Sequence, residues 1–243
     1  MIVLIALSIF LTSLVSGVLG MAGGMMLMGV LGLWLPVASA MVLHGVVQAS
    51  ANGSRAFLLR QHIRWQILPR YLAGAVLAYF LLNWLRIVPS KKVLFLTLGS
   101  FPLLALALHR VVRLDIMRKS SNVIAGFVVT ATQILAGASG PILDVFYLNS
   151  SLNRHEIVAS KAITQTLGHL LKLFFYAQVI LESNGESFRL NLWILPVAIV
   201  LAICGTDLGK TFLQRLSERQ FQLYSRIAIV LIGLVYIWQG FSY

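Results

Sequence analysis

The stretch "GMAGG", Gly20 to Gly24, separates two apolar runs, Ile2 to Leu19 and Met25 to Leu43, and three of its five residues carry no side chain. Glycines placed there either let neighbouring helices approach closely or free the backbone from helical geometry. Shifting the chain by 117 residues lays this stretch on "GASGP", Gly137 to Pro141, so that Gly20 meets Gly137 and Gly23 meets Gly140. The same ungapped shift pairs Leu31 with Leu148, Gln48 with Gln165, Phe57 with Phe174 and Gln61 with Gln178. It also lays a polar pattern on a polar pattern: His44 on Lys161, Asn52 on His169 and Arg55 on Lys172. The chain therefore reads as two halves, residues 1–118 and 119–243, each with a glycine-broken first helix followed by a polar-striped helix. Interrupted segments at corresponding positions of two halves point to the binding site of a secondary transporter. An even number of spans per half would make the repeats parallel and an odd number would invert them, and both arrangements stay open.

Working outward, the composition sets the environment. Of 243 residues, 59% are hydrophobic and 11% charged, and the mean hydropathy is +0.89, well outside the range of a soluble domain. Further apolar runs cover Tyr71 to Leu85, Val93 to Leu108, Asn122 to Leu143, Leu190 to Cys204 and Ile227 to Tyr243. Crossing a hydrocarbon core takes about 20 helical residues. The expectation is an all-α, multi-pass protein of the cell membrane with about eight transmembrane helices, in a range of roughly seven to nine. The first run is read as a membrane helix, because no positive residue precedes it and no clear cleavage site follows. One cysteine, Cys204, excludes an intrachain disulfide framework and a multi-cysteine metal site.

The net charge of +12 would point to nucleic acid in a soluble protein. Here the basic residues gather at membrane edges, in "RQHIRWQILPR" (Arg60 to Arg70) and "HRVVRLDIMRK" (His109 to Lys119), where they set orientation. The opposite loops, Arg86 to Lys92 and Lys210 to Arg219, are also basic, so the bias does not fix the sidedness. The partners expected are the lipid bilayer and a small anionic substrate, with no nucleic acid, and a homo-oligomer is left open.

At 3.6 residues per turn, His44, Gln48, Asn52 and Arg55 fall within an arc of roughly 80°. Lys161, Gln165, His169 and Lys172 do the same in the second half. Ionisable groups in middle turns facing lipid are costly, so both stripes should face the bundle interior. One reading makes Gln48, Asn52, Gln165 and His169 interhelical hydrogen-bond glue, with Arg55 and Lys172 reaching toward headgroups. The other makes the set a binding surface, since glue need not recur at equivalent positions in both halves. The only acids in these segments are Asp144 and Glu156, and an excess of cations lining a cavity suits an anion. A helix restarting after each break, from Gly24 or from Pro141, would present free N–H groups to such an anion. Gly20, Gly23, Gly24, Gly137, Ser139 and Gly140 thus join the two stripes as candidate substrate-binding residues. His44, His169 and Asp144 are candidates for a proton-coupling group.

These residues give the sequence a resemblance to the TauE/SafE family of sulfite exporters. It rests on "GVLGMAGGMMLMGVLGLWLP" (Gly17 to Pro36), "ASAMVLHGVVQASANGSRAFLLRQHIRW" (Ala38 to Trp65) and "TATQILAGASGPILDVFYL" (Thr130 to Leu148). The resemblance implies a permease for small sulfur-containing anions such as sulfite or organosulfonates, working as an exporter, with no cofactor and no enzymatic activity. The sequence departs from the family's pattern at the middle glycine of the triplet, and at His44 and Gln48, where small or hydroxyl residues are usual. Two other classes compete with this reading. Met21, Met25, Met26 and Met28 with His44 offer soft ligands to a Cu(I) or Ni-type permease, but the cationic excess opposes a metal. An intramembrane enzyme could pair Ser139 with His169, but nothing orients that pair and paired acids are absent.

Overall fold

The computed structural model describes the chain except for Met1, Gly20, Arg113 and residues 186–189 and 214–217. The described residues form ten α-helices and no strand. They are α1 (Ile2–Leu19), α2 (Met21–Trp34), α3 (Val37–Leu58), α4 (Leu68–Trp84), α5 (Lys91–Val111), α6 (Lys119–Ala136), α7 (Gly140–Tyr147), α8 (Arg154–Glu182), α9 (Ile194–Leu213) and α10 (Glu218–Phe241). Helix α6 begins and ends 117 residues after α1, and α8 begins 117 residues after α3.

Where helices stop follows from local chemistry. Helix α6 ends at Gly137, whose φ of +79° is left-handed and closed to most side chains. Helix α7 then starts at Gly140 with a proline in its first turn, where the missing N–H costs nothing. Helix α8 is started by a capping box: the Asn153 side chain accepts from the Glu156 N–H, and the Glu156 carboxylate accepts from the Asn153 N–H. Between α1 and α2 the chain doubles back. A Cβ on Gly23 would run into the Thr12 carbonyl and the Ser16 amide, although a straight helix would hold residues 12 and 23 about 16 Å apart.

Four helix pairs carry most of the packing, and their contacts fix their directions. On the seam between α3 and α8, Gly45 faces Leu173 and Gly53 faces Thr166, so these helices run antiparallel. Helices α5 and α10 are antiparallel too, with Gly99 against Gly233 and Gly240 against Leu96. Helices α1 and α9 run parallel, since Gly205 abuts Phe10 and Gly209 abuts Leu14. Helices α4 and α6 cross where Gly74 meets the Val123 carbonyl and Gly126 meets the Tyr71 carbonyl, a backbone-to-backbone approach that a Cβ on either glycine would block.

Among the described residues, three helices qualify by length, hydropathy and charge to cross a membrane: Trp65–Trp84, Lys91–Leu108 and Leu223–Phe241. Three shorter apolar helices, Ile2–Val18, Ala22–Trp34 and Ile194–Gly209, accompany them. Helices α3 and α8 are longer than most, but their polar seam lowers their hydropathy. The outward faces are apolar as well: Leu77 and Phe80 of α4 and Leu231 and Trp238 of α10 are each more than half exposed. A bundle apolar inside and out is built for a lipid surround.

Candidate functional site

The polar stripes of α3 and α8 face each other across their seam. At one end, the Lys172 ammonium donates to His44 Nδ1 at 2.8 Å and to the Gly137 carbonyl at 3.1 Å. The other nitrogen of His44, Nε2, donates to the Gly24 carbonyl at 2.9 Å. A carbonyl only accepts and an ammonium only donates, so this geometry fixes His44 as the neutral Nε2–H tautomer. The result is one line of hydrogen bonds from the α2 segment, through α3 and α8, to the turn between α6 and α7.

Further polar groups surround this line. His169 packs edge-on to His44 with ring centroids 5.6 Å apart, and its Nε2 lies 3.3 Å from Gln133 Nε2 of α6. The Gln133 amide donates there, so His169 carries its proton on Nδ1, which has no partner. Ser139, at the start of α7, also has a buried hydroxyl without a partner. Gly168 leaves the room that Gln133 Oε1 occupies, and that oxygen is unpartnered too. Lys172 and His44 are 0% exposed and His169 and Ser139 are 3% exposed, so the cluster is shut from solvent. Among the described residues, no carboxylate pairs with Lys172.

The far end of the seam is different. Arg55 lies eleven residues beyond His44 on α3, about 16 Å along the helix. Lys161 lies eleven residues before Lys172 on the antiparallel α8, which brings it level with Arg55. Here acids are at hand: Lys161 pairs with Asp144 of α7, and Arg55 sits within the field of Asp207 on α9, without an ion pair among the described residues.

The residues singled out in the sequence therefore divide. His44, His169, Lys172, Gly24, Gly137 and Ser139 come together, and Gln48 joins them by packing on the open side of Gly24. Arg55 and Lys172 are not brought together. Asn52 donates to the Gln48 carbonyl of its own helix at 3.0 Å, and Gln165 is half-buried. The open side of Gly23 is taken up by α1, Gly140 is the first residue of α7, and Gly20 lies outside the described residues. Asp144 is committed to Lys161. Ser139 and His169 are not bonded to each other, as both reactive atoms are partnerless. Met25 and Met28 are buried among apolar side chains, and no group of three or more His, Cys, Asp or Glu residues able to hold a metal occurs among the described residues. Gln133 is the residue that sequence reasoning missed. Its signal was a lone amide four residues before Gly137, on the turn that leads into the break.

Residues 5–236, nearly the whole chain, match the family described as "Sulfite exporter TauE/SafE". No curated protein and no solved structure matches the chain significantly.

Proposed function

This chain belongs to the TauE/SafE family of sulfite exporters, a family of membrane transporters, and on that premise we propose that it exports a small sulfur oxyanion, sulfite or an organosulfonate, bound at the Lys172 end of the α3–α8 seam. The observation that carries this reading is a fully buried ammonium with no acid beside it and two unpartnered groups, the His169 Nδ1–H and the Ser139 hydroxyl, in the same cluster. A charge buried in that way is expensive until a counter-charge arrives. A sulfonate or sulfite offers that charge and three oxygen acceptors.

The same reading makes residues 1–118 and 119–243 two inverted repeats of five helices. It is supported by the antiparallel pairing of α3 with α8 and of α5 with α10, and by the parallel pairs α1–α9 and α4–α6, the latter with the starts of both helices lining one pocket, which a two-fold axis in the membrane plane would exchange. Two repeats meeting at a central site suit alternating access. The protein would then cross the cell membrane several times, with the site near its middle.

The test is flux from liposomes containing the purified protein, measured for sulfite, sulfoacetate and taurine, with Cu(I) as a control. Sulfite or sulfoacetate should move, and Lys172→Met should remove most of that flux while the protein still inserts. Movement of Cu(I) but of no anion would overturn the proposal.

A further inference from the structure

The two basic loops "RQHIRWQILPR" and "HRVVRLDIMRK" play no part in the central cluster, yet the fold brings their ends together. The first turns of α4 and α6 enclose a pocket of about 140 Å³, lined by Gln66, Ile67, Arg70, Met117, Lys119 and Asn122. That is about ten times the space a single water needs. Two of its four polar lining residues are cations and none is an acid. Among the described residues, neither Arg70 nor Lys119 has a carboxylate partner. The nearest acid in sequence, Asp115, is not in the lining, and its Oδ1 accepts from the Met117 N–H at 2.9 Å.

Two more observations point to an anion. The N-terminus of α6 receives no side-chain cap from Arg118, so the first N–H groups of an 18-residue helix are left for something else. Asn122, 2% exposed, lines the same pocket, and neither its Oδ1 nor its NH₂ group is bonded to a described residue, which leaves the amide's donors to a ligand.

We propose that this pocket between the first turns of α4 and α6 is a phosphate-binding site, filled by the headgroup of an anionic phospholipid or by free phosphate. Its location favours the lipid. The pocket residues Gln66, Ile67 and Arg70 lie in the first turns of the span Trp65–Trp84, whose terminal tryptophans, 59% and 79% exposed, sit where interfacial aromatic residues sit. Cations at that level each contribute to holding anionic lipid, and a cleft between two helices adds shape to charge.

The experiment uses the full chain in nanodiscs of phosphatidylcholine with phosphatidylglycerol, and counts retained phosphatidylglycerol by native mass spectrometry. Arg70→Gln/Lys119→Gln should weaken retention by roughly fivefold for each cation removed. Gln66→Glu, which keeps both cations but adds a negative charge to the lining, should weaken it as well and guards against misfolding of the double variant. Lys92→Gln/Arg86→Gln, at the opposite end of α4, removes two cations without a pocket and is the control, which should weaken retention several-fold less than the pocket double variant. A parallel arm follows the unfolding midpoint in detergent as inorganic phosphate is added. Stabilisation of the wild type but not of the pocket variants, with lipid retention unaltered, would assign the site to free phosphate. Pocket variants that match the control in both arms would overturn the proposal. Sulfite flux is not a readout in either arm, so the outcome does not depend on the transport reading.

Discussion

The two ends of the α3–α8 seam are built from matching sequence positions and differ in one respect, the presence of acids. At the Lys161 end, Asp144 pairs with Lys161 and Asp207 is near enough to act on Arg55 through its field, and the side chains of the ion pair keep 20% and 28% of their surface exposed. At the Lys172 end the ammonium is fully buried, and its partners are a neutral imidazole and a backbone carbonyl. A charge neutralised within the protein has no need of a ligand, whereas one held only by neutral dipoles does. The count of cations in a stripe is thus a poor guide to where an anion binds. What matters is which cations the rest of the bundle leaves unanswered.

The largest effect should come from removing that unanswered charge. Lys172→Met should weaken sulfite binding by about 2–3 kcal/mol, roughly 30- to 150-fold, because a charge-assisted contact is lost. Arg55→Met should change sulfite affinity several-fold less, measured side by side in the same liposomes. Equal losses would erase the distinction between the two ends. Next in size is the turn that receives Lys172. Gly137→Ala should lower thermal stability by about 1–2 kcal/mol, since φ is positive there, and its Cβ would also crowd Met28. A variant as stable as wild type would mean that the turn can relax. The smallest effect concerns the neutralised end. In a double-mutant cycle, Asp144→Asn and Lys161→Met should couple by about 1 kcal/mol in unfolding, with the double variant less damaged than the sum of the singles. Sulfite flux should follow stability in that series. A selective loss of flux would move Asp144 into the transport pathway.

Much of the frame could be read from the chain itself. The stretch Gly137 to Pro141, singled out as the echo of Gly20 to Gly24, falls where one helix ends and the next begins, because local residues set that point: Gly137 is left-handed at the end of α6 and a proline sits in the first turn of α7. Periodicity also placed His44 and Lys172 on inward faces. Register was beyond its reach. Whether Lys172 meets His44 or Arg55 depends on the direction in which α8 runs past α3, and no spacing within either helix encodes that. For the same reason the acids of Asp207 and Asp144 could not be matched to their cations, since α7 and α9 are positioned by tertiary packing. Gly23 shows a related gap. A glycine beside a turn reads as a conformational need, but its missing Cβ is filled by the backbone of α1.

The line from the Gly24 carbonyl through His44 and Lys172 to the Gly137 carbonyl has a thermodynamic consequence of its own. The ammonium has three donors and two are engaged, so an anion can take the third directly; an anion that takes a second must displace an internal acceptor, and for it binding and unfastening are one event. The measured affinity would understate the intrinsic one by the free energy of that unfastening. The same event would release α2 and the turn between α6 and α7 together. On the transport reading proposed above, a cargo able to displace that contact would supply its own signal to move, and the empty protein would stay fastened across its middle.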